Sequence, residues 1–246
     1  LVGGLDSPQA RREAGGDLGE DHDGHAVADA AVGDQLAHPH DRGGAGGHRQ
    51  DQRDQGEGAL FDGIAHETNV RELIDNHWLC PPVSYRQSAQ IDTSGVGTRG
   101  GEFIPAQLEL AALNPNVVNA IADRIVDAGQ DRKAWLVFGC TVKHCEALAD
   151  ALNARGFSGT GVFGDTDKRD RDRIIADFKA QKLRFLVSQG VLTTGFNARH
   201  VDLVALARPT KSTGLYIQMV GRGTRLSPET GKTNCLILDF GGNIAR

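Results

Sequence analysis

The first 55 residues contain no isoleucine, phenylalanine, tyrosine, tryptophan, methionine, lysine, asparagine, threonine or cysteine. A stretch built from Gly, Ala, Asp, His, Gln, Arg and a few others cannot bury enough apolar surface to offset the entropy of ordering it. Residues 1–55 are therefore expected to be low-complexity and disordered. The missing types are mostly those with A/T-rich codons, which raises a second expectation: a GC-rich gene read out of frame. The five histidines here (His22, His25, His38, His40 and His48) are irregularly spaced and do not read as a metal tract.

Other absences narrow the function. No apolar run approaches the roughly 18 residues of a membrane span, so no membrane role is expected. The start, Leu1-Val2-Gly3-Gly4, lacks the basic flank and apolar stretch of a signal peptide, and Leu1 in place of Met points to a fragment. The four cysteines (Cys80, Cys140, Cys145 and Cys235) include no CxxC pair. They are expected to be buried reduced thiols of a cytoplasmic protein, with no metal site. A phosphate-binding P-loop is also missing. Gly231-Lys232-Thr233 ends like one, but Leu226 stands where its first glycine is required, so these residues read as a turn. No DExD/H string occurs.

What is present is unevenly distributed. Residues 1–130 carry 9 basic and 21 acidic side chains, whereas residues 131–246 carry 18 and 11. A basic second half can attract a polyanion. Residues 56–130 read as a connector plus a packing helix. A short helix over 70–78 is stopped by Pro81-Pro82, and Gly95, Gly97, Gly100 and Gly101 mark a loop. Asn114-Pro115 then caps and opens a helix whose Val117, Val118, Ile121, Ile125 and Val126 share one face until Gly129. Residues 131–246 alternate strands and helices: strands near 135–138, 160–163, 184–188, 201–207 and 235–240, with helices near 141–155, 168–179 and 215–220. That alternation implies βαβ units, an α/β fold with a parallel sheet, and a site at the carboxyl ends of its strands.

Four strings carry candidate chemistry. In Gln218-Met219-Val220-Gly221-Arg222-Gly223-Thr224-Arg225, two arginines three apart read as sharing one side of a helix turn, with glycines permitting close backbone approach. Guanidinium groups can neutralise the charge spread over a phosphoryl group in transfer. In Val191-Leu192-Thr193-Thr194-Gly195-Phe196-Asn197-Ala198, hydroxyls and an amide follow a strand and offer hydrogen bonds without fixed charge. In Val137-Phe138-Gly139-Cys140-Thr141-Val142-Lys143, a strand enters a helix whose first turn can hold phosphate, or Thr141 can be a plain N-cap. The charged run over 164–173 reads as a solvated helix start, and Ser212 or Thr213 caps the helix after Arg208-Pro209.

These strings resemble motifs VI, V and IV, occurring in the order IV, V, VI, of superfamily 2 helicases of the DEAD/DEAH-box-like type. The nearest resemblance is to bacterial and phage helicases of the RadD kind. The 60–65 and 91–97 stretches look like the connector between their two motor lobes. The resemblance implies a RecA-like C-terminal lobe, a parallel β-sheet flanked by helices, spanning 131–246. It implies that Arg222 and Arg225 act as arginine fingers with Gln218, and that Gly195 and Asn197 line the nucleotide. Thr141, Lys143, Thr193 and Thr194 would touch the nucleic-acid backbone. ATP and Mg²⁺ would be held mainly by a first RecA-like lobe that this chain lacks, so the chain alone is expected to hydrolyse little ATP. DNA is the favoured partner and RNA the alternative. Arg199 departs from the family, where proline is common. Two other readings stand beside this one: a non-catalytic nucleic-acid or protein binding module, and the product of a truncated or frameshifted gene.

Overall fold

The structure, a computed structural model, describes residues 68–190, 192 and 196–244. The expectations for 1–55 and for the 60–65 string fall outside that range. The first element, α1 (Val70–Asp75), is capped by Asn69, whose side chain accepts from the Arg71 N–H at 2.8 Å. It ends before Trp78 because His77 takes a φ of 58° and the N–H groups of Trp78 and Leu79 return to the Leu73 carbonyl.

The segment that reads as a connector contributes directly to the sheet and its cover. Pro82–Arg86 forms β1. Thr98–Arg99 (β2) and Glu102–Phe103 (β3) pair antiparallel, so the glycine-rich loop is a hairpin. Gly100 and Gly101 turn it at φ of 60° and 81°, a region open to glycine because it has no Cβ. Pro105–Ala112 forms α2 and Pro115–Ala128 forms α3, the latter capped by Asn114 as its sequence requires.

The alternating half follows: β4 (Trp135–Gly139), α4 (Val142–Ala154), β5 (Gly159–Gly161), α5 (Lys168–Lys179), β6 (Phe185–Ser188), β7 (Leu203–Ala207), α6 (Thr213–Val220) and β8 (Cys235–Asp239). Six strands make one sheet in the order β1-β8-β7-β4-β6-β5, and every pairing is parallel. Strand β1 lies on β8 with Pro82 opposite Cys235 and Arg86 opposite Asp239. Proline is tolerated there because it is the first residue of an edge strand.

Strand alternation divides the core between two faces. Trp135 and Val137 of β4 face α3 and α4, joining Ile121, Ile125, Leu148 and Leu152. Leu136 and Phe138 face the other way, joining Phe178 of α5 and Met219 and Val220 of α6. Leu192, Phe196 and Ala198 of the loop after β6 belong to that second face. A parallel sheet with both faces covered by helices needs apolar strands throughout, and β4, β6, β7 and β8 are buried at every residue. This is the RecA-like α/β arrangement that the sequence implies.

Candidate functional site

The arginine string folds differently from its expected helix turn. Helix α6, capped by Ser212 accepting from the Leu215 N–H at 3.2 Å, ends at Val220. Arg222 and Arg225 lie in the turn beyond it. That turn sits beside the amino-terminal ends of β1 and β8, not at the carboxyl ends: the Thr224 carbonyl accepts from the Cys80 N–H at 2.7 Å. A Cβ on Gly223 would lie 2.3 Å from Cys235 Sγ and 2.9 Å from Val204 Cγ2. Only glycine lets the backbone approach the sheet this closely.

From this turn the two guanidinium groups reach the loop after β6. Arg222 Nη1 donates to the Phe196 carbonyl at 2.8 Å and Arg225 Nη1 to the same oxygen at 2.9 Å. Arg225 Nη1 also donates to Asn197 Oδ1 at 2.9 Å. Burial, and then the neighbouring Arg225 charge, push the Arg222 pKa down from its ordinary value. Two cations thus converge on one carbonyl oxygen. Gln218, on the last turn of α6, is exposed, as is Asn197. Thr193, Thr194 and Gly195 lie outside the described residues.

Arg199, where proline is common in the resembling family, donates from Nε to the Leu226 carbonyl at 2.8 Å. It thus adds a cross-link to the same pair of segments. Lys232, in the stretch that reads as a turn, follows Gly231 with its left-handed φ of 74°. Its ammonium is also a bonding centre: Nζ donates to the carbonyls of Gly223 (2.5 Å), Arg225 (2.8 Å) and Arg199 (3.2 Å). Sequence reasoning finds the turn but misses this role, which no local pattern signals.

A second group forms where β4 runs into α4, at a strand's carboxyl end. Thr141 is the N-cap, accepting from the His144 N–H at 3.3 Å. Lys143 extends into solvent, its side chain 72% exposed, and Nζ pairs with Glu109 Oε1 of α2 at 3.2 Å. Hydrogen bonds from Thr141 and Lys143 hold the Glu109 carboxyl below the usual carboxylate range. Glu109 is a site residue that sequence reasoning does not find. His144 is buried, and its Nδ1 accepts from the Cys140 N–H at 3.2 Å. Burial pushes its pKa down to about 4, so at neutral pH it is an uncharged acceptor and adds no positive charge here.

The remaining strings are structural. Asp167 caps α5, accepting from the Arg169 N–H at 2.8 Å, and Arg171 Nη2 donates to the carbonyls of Phe163, Gly164 and Thr166. Thr210 Oγ1 donates to Glu102 Oε1 at 2.7 Å, tying the β2–β3 hairpin to the loop after β7. All four cysteines are free and buried, and burial pushes the Cys140, Cys145 and Cys235 thiols up to about 12, so they are inert. No helix among the described residues is long and apolar enough to cross a membrane. No group of three or more His, Cys, Asp or Glu among them could hold a metal ion.

The parallel sheet, its covering helices and the arginine turn that grips the loop after β6 define a RecA-like α/β lobe. Residues 117–227 match the model of the helicase conserved C-terminal domain. The chain is 31% identical over 185 residues to IRC3 of Saccharomyces cerevisiae, named as a candidate ATP-dependent helicase, covering 74% of this chain and 27% of that protein. The Schizosaccharomyces pombe counterpart, named as a candidate mitochondrial ATP-dependent helicase, is 30% identical over 189 residues, covering 76% and 30%. Among solved structures, a fragment of a candidate HsdR subunit of a type I restriction enzyme from Vibrio vulnificus superposes with a TM-score of 0.56 at 23% identity. It covers 70% of this chain and 34% of that one, a likeness of fold. The chain carries the C-terminal lobe of a superfamily 2 helicase. It spans less than a third of the length of these two curated relatives.

Proposed function

We propose that this lobe serves an ATP-dependent helicase or translocase acting on nucleic acid, with DNA the favoured partner and RNA the alternative. In this reading Arg222 and Arg225 face the phosphates of ATP, aided by Gln218, with Gly195 and Asn197 lining the nucleotide. Thr141, Lys143, Thr193 and Thr194 hold the nucleic-acid backbone. The observation that carries the reading is the convergence of the Arg222 and Arg225 Nη1 atoms on the Phe196 carbonyl, next to Asn197. It gathers two cations at one place, the electrostatic provision that phosphoryl transfer requires.

A triphosphate fits such a cationic corner. In this reading Mg²⁺ is held mainly by a first lobe. A nucleotide bound between lobes would supply the free energy for opening and closing, and this chain's part is to bind and orient it. The chain alone is therefore expected to bind nucleotide weakly and to turn over little of it.

The test uses the full chain and a fluorescent ATP analogue. Substituting Arg222 or Arg225 by Ala should weaken binding about tenfold, the equivalent of roughly 1.4 kcal/mol. Equal affinity in wild type and both variants would refute the nucleotide role. A salt-dependent DNA affinity unaffected by nucleotide would instead favour a binding module.

A further inference from the structure

The two segments that hold the candidate nucleotide residues, 196–199 and 222–226, are laced together by side chains. Arg222 and Arg225 reach across to Phe196 in one direction, and Arg199 reaches back to Leu226 in the other. Lys232 stands six residues after Leu226, beyond a turn, and is partly buried. All three of its N–H donors are committed to carbonyl oxygens: Arg199 on one segment, Gly223 and Arg225 on the other. An ammonium carries three donors and no acceptor, so this set saturates it.

The geometry closes a ring. It runs from the Phe196 carbonyl through the guanidinium of Arg225 to its own backbone, across the Lys232 ammonium to Arg199, and back along the chain to Phe196. Two of the three carbonyls that Lys232 holds, those of Arg199 and Arg225, belong to residues whose side chains form the cross-links, and the third is on Gly223, next to Arg222. Moving either carbonyl moves the Cα from which a guanidinium must reach. Lys232 is also partly withdrawn from water, and desolvation lowers its pKa, as befits an ammonium whose solvation shell has been replaced by carbonyl oxygens.

We propose that Lys232 is a positioning residue: by tying the Arg199, Gly223 and Arg225 carbonyls to one ammonium it sets where the Arg222 and Arg225 guanidinium groups sit. Its functional meaning rests on the nucleotide role proposed for those arginines, but the geometric statement stands apart from it and is tested apart from it.

The test is a nitrogen–proton correlation spectrum of the arginine guanidinium groups in the full chain, with Arg222 and Arg225 assigned from R222K and R225K. In wild type both give dispersed signals, because hydrogen bonding to Phe196 and Asn197 slows their rotation and exchange. In K232M, which keeps most of the length of the side chain and removes its donors, both signals should fall into the crowd of exposed arginines. The core methyl signals of Leu148, Leu186 and Val187 should hold their places. Where K232M does not fold, K232R decides. It keeps charge and donors, but its longer planar group cannot hold three carbonyls in the same arrangement, so both arginine signals should shift. Unchanged Arg222 and Arg225 signals in the folded variant overturn the proposal, as does their change only in step with the core methyls. Nucleotide affinity of R222A is measured beside it. If that is unaltered while K232M still releases the arginines, the positioning stands and the nucleotide role falls.

Discussion

Arg225 holds Asn197 by its side chain, Nη1 to Oδ1 at 2.9 Å, and the same Nη1 lies 2.9 Å from the Phe196 carbonyl. The two residues are 28 positions apart, so a candidate nucleotide residue after one strand is oriented by a candidate finger before another. Substituting Asn197 by Ala should free part of the Arg225 guanidinium, whereas Leu keeps volume and removes the acceptor. Both should lower nucleotide affinity less than R225A does, because the Phe196 carbonyl remains. Titration with a fluorescent ATP analogue checks the ranking, and an effect of N197A exceeding that of R225A would contradict it.

Glu109 occupies the place beside Thr141 and Lys143 that a backbone phosphate would take in the proposed reading. Bound nucleic acid must then displace a carboxylate from Lys143. Glu109→Gln should raise affinity for a single-stranded oligonucleotide several-fold at low salt, with the gain shrinking as salt rises, since the Lys143 ammonium is largely exposed. K143A should lower affinity and abolish the effect of E109Q. Fluorescence anisotropy at two salt concentrations suffices, and a neutral E109Q would show that the phosphate lies elsewhere.

Gly223 allows the arginine turn to pack on the sheet. Gly223→Ala brings a methyl against Cys235 Sγ and Val204 Cγ2, which costs roughly 1–3 kcal/mol of overpacking and should lower Tm by several degrees. Adding C235A makes room on one side and should recover part of the loss. Thermal unfolding of the two variants and the double variant measures the coupling, and full additivity would mean that the strain lies somewhere else.

Stability should fall in mild acid. His144 has its pKa depressed in the folded state, to about 4 from 6.5. The unfolded chain therefore takes up this proton first, and stability present above about pH 6.5 is lost progressively down to about pH 4. The full shift corresponds to at most about 3 kcal/mol. His200 is shifted in the same direction by burial and adds to the loss, whereas buried Asp239, pushed up, opposes it. In His144→Asn, whose amide oxygen can still accept from the Cys140 N–H, the slope between those pH values should flatten. Urea unfolding across the range tests it, and parallel wild-type and variant curves would assign the slope to other groups.

The parts of the fold that were legible in the sequence are those that local pattern dictates. The continuous apolar run at Trp135 to Phe138, the Asn114-Pro115 cap and the Lys168–Lys179 helix each carry their signal within a few residues, and the structure has them there. Strand β1 carries no such signal. Pro81-Pro82 reads as a breaker, and what makes Pro82–Arg86 a strand is the distant edge of β8. Helix α2 likewise follows from Leu108 and Ala112 meeting the core, not from a strong pattern of its own. At the site, residue types and order were legible, but partners were not. Nothing near Lys232 in sequence announces carbonyls at Gly223 and Arg199, nothing near Lys143 announces Glu109, and the end of α6 at Val220 depends on how the following turn packs.

The parallel pairing of β1 with β8 changes how this lobe can be dissected. Its outermost strand comes from before the hairpin and two helices, so a piece begun near residue 131 would strip β8 of its neighbour. Such a piece would present a strand that is apolar up to Asp239, with a bare row of N–H and C=O groups, ready to pair with another copy of itself. In the intact chain β1 covers that edge. It also makes the route into the lobe a mechanical joint: tension on the chain ahead of Pro82 is borne by the whole β1–β8 ladder in shear, so a pull from that side reaches the strand next to the arginine turn without first peeling a loop.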